Sequence, residues 1–192
     1  MRTGLVKSIA PRGLSRFWRD TRAAAAAEFA LCLTMLALPI CNVIDLGFYT
    51  YERMQVEAAA NAAVAAAWHT CSTSAQVPTV NCSGVASTML TAAQSTSLST
   101  NVTLPAASIT EGFYCSNGSG ALVQVGSSGS TSTAPTAPSP NNCSTVIANS
   151  KTVPGDYVLA TASATYTPLF GNATLLSLPS PITRTAWMRL DK

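Results

Sequence analysis

The sequence predicts an α+β protein in which one long N-terminal helix, part transmembrane and part stem, leads into a small antiparallel β-sheet domain. Three observations predict it. Basic residues crowd the first 22 positions, and an apolar, helix-forming stretch follows as far as Trp68. The Ser/Thr-rich remainder carries four cysteines and several runs in which apolar and polar residues alternate.

The leader, residues 1–22, holds Arg2, Lys7, Arg12, Arg16, Arg19 and Arg22 against Asp20 alone. Residues 23–192 hold five basic and seven acidic side chains, so the overall charge of +3 hides a strong asymmetry. Lys and Arg beside a membrane span stay on the cytoplasmic side. Nucleic-acid binding is the competing reading, but no groove-reading or base-stacking motif accompanies the basic arm. Charged residues make up only 10% of the chain, low for a soluble globular protein.

The span occupies residues 23–46. From Ala23 to Ile44 there is one ionisable side chain other than cysteine, Glu28, and no glycine. At about 1.5 Å per residue this stretch crosses roughly 30 Å of hydrocarbon. A cleavable secretory signal has a shorter apolar core, of about 7–15 residues. Pro39 removes a backbone hydrogen bond in mid-span, which predicts a kink near Met35–Pro39. Asn42 and Asp45 mark the far boundary, with Tyr49 and Tyr51 as interfacial aromatics just beyond. Glu28 reads in two ways, as a solvated charge at the cytoplasmic edge or as a carboxylate with a partner.

The stem, residues 47–68, continues without proline from Phe48 to Trp68 in good helix formers. A helix from Ala24 to Trp68 would be about 65 Å long. Met54, Ala58, Ala62 and Ala65 form one smooth face that suits close packing against another helix. The alternative is that the alanines fill the helix against the chain's own domain.

Residues 69–192 read as a disulfide-bonded, extracytoplasmic, β-rich domain. Cys71, Cys82, Cys115 and Cys143 allow three pairings. Loop closure favours Cys71–Cys82 with Cys115–Cys143, because short loops cost least to close. No close C-x₂-C ligand pairs are present, which argues against a metal. Cys32 and Cys41 read as apolar fillers of the span. A short helix is predicted over Ala86–Ser97, and strands over Val102–Thr110, Ala121–Val125, Tyr157–Tyr166 and Ile182–Leu190. The Ser/Gly/Thr/Pro-rich stretch 126–142 reads as a flexible loop.

Enzyme signatures are missing from the sequence. His69 is the one histidine, and a single His at a helix end reads as a cap rather than a base. There is no G-x-S-x-G elbow, phosphate-binding glycine loop or H-E-x-x-H. The expectation is a non-enzymatic protein with no cofactor, no metal, no small-molecule substrate and no nucleic-acid partner.

The basic arm, Arg22-Ala23-Ala24-Ala25-Ala26-Ala27-Glu28-Phe29-Ala30-Leu31, the apolar run with Pro39 and Ile44-Asp45-Leu46-Gly47 together resemble the TadE-like minor pseudopilins. These belong to the tight-adherence, Flp-type (type IVb-like) pilus system. The tail is loosely similar as well, through Ala164-Thr165-Tyr166-Thr167-Pro168-Leu169-Phe170 and Ile182 to Arg189. The resemblance covers residues 16–68 well and 157–189 loosely.

It implies a pilin-like plan in the bacterial inner membrane, single-pass, with the N-terminus cytoplasmic and the C-terminal domain periplasmic or in the pilus. It also implies cutting after Ala23 by a prepilin peptidase, which would make Ala24 the new N-terminus and Glu28 the fifth residue of the mature chain. That glutamate would meet the N-terminal amine of a neighbouring subunit. The family's usual glycine before the cut is Ala23 here, and the alanine run offers neighbouring bonds. Implied partners are the bilayer, the peptidase, other pilins or pseudopilins and the inner-membrane assembly platform. Pro39 and Asp45 are candidates for helix packing. The competing reading is an uncleaved, single-span, membrane-anchored extracytoplasmic binding module.

Overall fold

A computed structural model describes residues 21–171 and 175–190, with side chains described from Ala24 onward. Residues 1–20 of the basic leader lie outside the described residues. The dominant element is a continuous helix, α1 (Thr21–Thr70). Its 50 residues make a rod about 75 Å long. The helix runs unbroken through Pro39.

Its two halves have different surroundings. Every side chain from Ala24 to Ile40 is exposed, including Phe29, Leu31, Met35 and Leu36. In the second half Val56, Ala59, Ala60, Ala63, Val64 and Ala67 form a fully buried stripe with the helical spacing of three and four. Met54 and Ala58 of the smooth face are exposed, and Ala62 and Ala65 are half-buried. The stem alanines therefore divide between the two functions the sequence allowed. One set packs on the chain's own domain, and the other leaves an open, small-residue face.

The domain is a five-stranded antiparallel sheet. Its strands are β1 (Val102–Thr103), β2 (Ile109–Ser116), β3 (Leu122–Ser130), β4 (Gly155–Ala164) and β5 (Ile182–Arg189). Central β4 pairs with β5 along one edge, and with both β2 and β1 along the other. Beyond β2 lies β3 as the outer strand. Val158, Ala160, Ala162 and Ala164 of β4 and Ile182 and Ala186 of β5 face α1. Small side chains thus meet small side chains, so helix and sheet approach closely. A short helix, α2 (Val85–Ala93), buries Val85, Met89 and Ala93 beside the stem.

Enlarging one of these alanines has a predictable cost. Ala63→Leu should destabilise the domain by about 1–3 kcal/mol, because the added atoms have no space between helix and sheet. Denaturant unfolding of the full chain in detergent checks this, with the exposed Ala58→Leu as a control expected to change little.

Several boundaries differ from the sequence reading, each for a local reason. The short helix stops at Ala93 because the Ser95 and Thr96 hydroxyls donate back to the Ala92 and Ala93 carbonyls and end the ladder. The strand expected over Val102–Thr110 is split, since Pro105 has no N–H for a ladder and opens a turn closed by Ser108 N–H to the Pro105 carbonyl. The segment read as loop 126–142 begins as strand, with β3 reaching Ser130. From there the chain folds back, with Ser130 bridging Thr133 and Ser127 bridging Thr136. A Cβ on Gly126 would overlap the Thr136 carbonyl, and one on Gly129 the Thr133 carbonyl. These glycines are what allow the return segment to lie against β3.

Two disulfides fasten the domain, Cys71–Cys82 and Cys115–Cys143. The first ties the end of α1 into the main core, and the second closes a small separate cluster with Val125. Cys32 is exposed on α1 and Cys41 is half-buried; neither is bridged.

Candidate functional site

The candidate site is α1 itself, together with the place where the sheet domain meets it. Ala24–Thr70 is, among the described residues, the one helix long and apolar enough to cross a membrane. Its membrane half touches little of the rest of the protein. Glu28 is exposed there, and none of the described residues bonds to its carboxylate. Pro39 is likewise exposed. Ala23 lies in the helical backbone, but its side chain is outside the described residues, so the expected processing site is represented here by Ala24, which is exposed.

Asp45 lies elsewhere. It is fully buried, at the foot of the sheet domain. The Leu169 N–H donates to its Oδ1 at 2.9 Å, and the Tyr166 hydroxyl donates to its backbone carbonyl at 2.9 Å. One turn earlier, the Leu175 N–H donates to Asn42 Oδ1 at 2.8 Å, and Asn42 Nδ2 donates to the Leu38 carbonyl. The Tyr166 ring also meets Tyr49 edge-on, with centroids 5.2 Å apart. Burial pushes the Tyr166 phenol above its ordinary range, and the nearby Asp45 and Glu52 carboxylates push it the same way. The ring therefore remains a neutral hydrogen-bond donor. Asp45 and Asn42 hold the segment between β4 and β5 against the helix.

Removing that anchor has a measurable consequence. Asp45→Ala should cost about 1–3 kcal/mol, because the Leu169 N–H loses its acceptor in a shielded place. Asp45→Asn keeps an oxygen for Leu169 and should cost less. Denaturant unfolding of the two variants in detergent decides it; equal, negligible losses would contradict the anchoring role.

A second buried carboxylate, Glu111, is not among the residues that the sequence pattern singles out. Glu111 of β2 is 1% exposed, and its Oε2 accepts both the backbone N–H and the hydroxyl of Thr79. The contact pins the Cys71–Cys82 loop onto the sheet. The signal was present in the alternation, since Glu111 shares a strand face with the apolar Ile109. Among the described residues no three His, Cys, Asp or Glu side chains are grouped to hold a metal ion. His69 packs edge-on to Trp68, with centroids 4.9 Å apart.

Residues 23–65 match the family model of TadE-like proteins. This segment of the chain is TadE-like. The match takes in the whole exposed half of α1, Glu28, Asn42 and Asp45, and most of the stem, and it stops before the sheet domain. No curated protein and no solved structure matches the chain. The one candidate span among the described residues, near the N-terminus, fits a single-pass arrangement.

Proposed function

We propose that this protein is a minor pseudopilin that supports biogenesis of a Flp-type pilus. It sits in the bacterial inner membrane with its N-terminus in the cytoplasm and its sheet domain outside, and a prepilin peptidase cuts it after Ala23. The observation that carries the reading is the contrast along α1. The membrane half leaves Phe29 to Ile40 uncovered on every side, whereas the stem buries one stripe on its own domain. A helix so exposed needs lipid before assembly and other helices after it, and Glu28 is the one charge it carries into that exchange.

The partners are other pilins or pseudopilins and the assembly platform. A photo-crosslinking residue at Met35, which is 78% exposed, should yield adducts with pilin-type helices or platform subunits in piliating cells. Lipid adducts alone would contradict a role in assembly.

One observation favours the alternative of an uncleaved, membrane-anchored binding module. On the sheet face away from α1, Tyr114 packs edge-on against both Tyr157 and Trp187, and Trp187 is 45% exposed. An exposed aromatic cluster of this kind can serve a ligand. The two readings differ in whether the first 23 residues are removed.

A further inference from the structure

The segment between β4 and β5 has an unusual composition for a surface loop. From Tyr157 to Thr183 there is no charged residue. Within it Leu169, Phe170, Leu175 and Leu176 all point outward, being 60%, 39%, 81% and 42% exposed. Exposed apolar side chains gathered in this way mark a contact surface.

The position of the segment along α1 identifies what it contacts. Leu169 and Leu175 are bonded through their backbone N–H groups to Asp45 and Asn42 of the helix. At 1.5 Å per residue, about 20 residues of helix cross roughly 30 Å of hydrocarbon. Counted from Glu28 as the cytoplasmic edge, the far edge falls near Phe48; counted from Ala24, it falls near Ile44. On either count Asn42–Asp45 lies at the outer edge of the hydrocarbon or within it, and the segment lies beside it.

The bonding pattern suits that depth. Backbone N–H groups in a water-poor layer need acceptors from the protein, and Asn42 and Asp45 supply two. Conversely, a carboxylate at this level of a lipid-facing helix is costly unless it faces protein and is hydrogen-bonded, and Asp45 Oδ1 accepts the Leu169 N–H. Asp45 is 0% exposed under the segment.

We propose that the two stretches that flank Asn42 and Asp45, residues 166–171 and 175–178, form a lipid-contacting foot that dips into the outer leaflet beside α1. Its inward side covers Asn42 and Asp45, and Leu169, Phe170, Leu175 and Leu176 meet acyl chains. The foot then sets the depth and rotation of α1, with the domain already packed on its stem, relative to the bilayer. The inference rests on reading α1 as a span.

Spin labels on the full chain test it, in a background in which the unbridged Cys32 and Cys41 are replaced by alanine. Labels go at Leu169→Cys, Leu175→Cys, Met35→Cys and Val153→Cys. Val153 is 61% exposed and precedes the end of β4 remote from the foot. The protein is placed in vesicles of phosphatidylethanolamine and phosphatidylglycerol. Collision with oxygen, which partitions into lipid, is compared with collision with a water-soluble nickel chelate. Labels at 169 and 175 should collide freely with oxygen and several-fold less with nickel than the label at 153 does. Nickel accessibility equal to that at 153 would place the segment in water and overturn the proposal. Shielding from both reagents would mean that a second copy of the protein covers it, which also overturns the proposal. A nickel-accessible label at Met35 would show instead that the span itself has been misread.

Discussion

Glu28→Ala should leave the protein inserted in the membrane and its domain folded, while pili are lost. The carboxylate lies on the stretch 24–40 of α1, which is exposed throughout and contributes no residue to the core, so its removal leaves the domain's stability untouched. Membrane insertion should improve slightly if it changes at all, since a carboxylate at a membrane helix edge costs a few kcal/mol unless paired or hydrated. The loss falls on assembly. In the proposed mature chain Glu28 stands one helical turn from the new amine at Ala24, about 6 Å along the axis. A neighbouring subunit's amine, with a reference pKa of about 8, is mostly charged at neutral pH. Two opposite charges that both lose hydration gain from pairing with each other. Pili counted by electron microscopy, with membrane-fraction immunoblots as the insertion control, check the result. Normal piliation in the variant would remove the paired-carboxylate mechanism.

Reducing the disulfides should destabilise the domain strongly, and unequally. The bridges close loops with sequence separations of 11 and 28 residues. Chain entropy alone then gives about 2.8 kcal/mol for Cys71–Cys82 and about 3.6 kcal/mol for Cys115–Cys143. The packing around each predicts where the damage falls. Cys71 and Cys82 belong to the main core, so their loss should free the end of α1 and the turns pinned by Glu111. Cys115 and Cys143 belong to a cluster whose other fully buried member is Val125, with Phe113 and Val146 packed at its edge. There the bridge is most of the fastening, and its loss should release the connection between β3 and β4 while the helix–sheet core persists. Thermal unfolding with and without reductant measures the totals, and hydrogen exchange of the paired Cys→Ala variants locates them. A melting temperature unmoved by reductant would contradict the stabilising role of both bridges.

The parts of this fold that are legible in the sequence are those set by local pattern. A long stretch with no charge but Glu28 before Asp45, continued by Ala-rich helix formers, leaves few alternatives to one long helix. Strands β4 and β5 are legible because their inward residues alternate with Thr, Ser and Arg. What is not legible depends on distant partners. The stretch after Gly126 has the composition of a loop, and it is partly strand only because the 133–136 segment fits against two glycines. Asp45 reads as a boundary marker, but its function depends on Leu169, 124 residues away. Glu111 finds Thr79 across 32 residues, through a turn that the Cys71–Cys82 bridge holds in place. Glu28 is the opposite case, conspicuous in the sequence and without a partner among the described residues, which fits a partner in another subunit.

The most direct test of the central claim is the intact mass and N-terminal sequence of the protein purified from its native membrane. The proposal predicts a mature chain that begins at Ala24, or at an alanine directly beside it. A chain that still begins at Met1 or Arg2 would contradict processing and favour the anchored binding module. A start near Trp68 would show α1 to be discarded, and the assembly function of Glu28 would go with it.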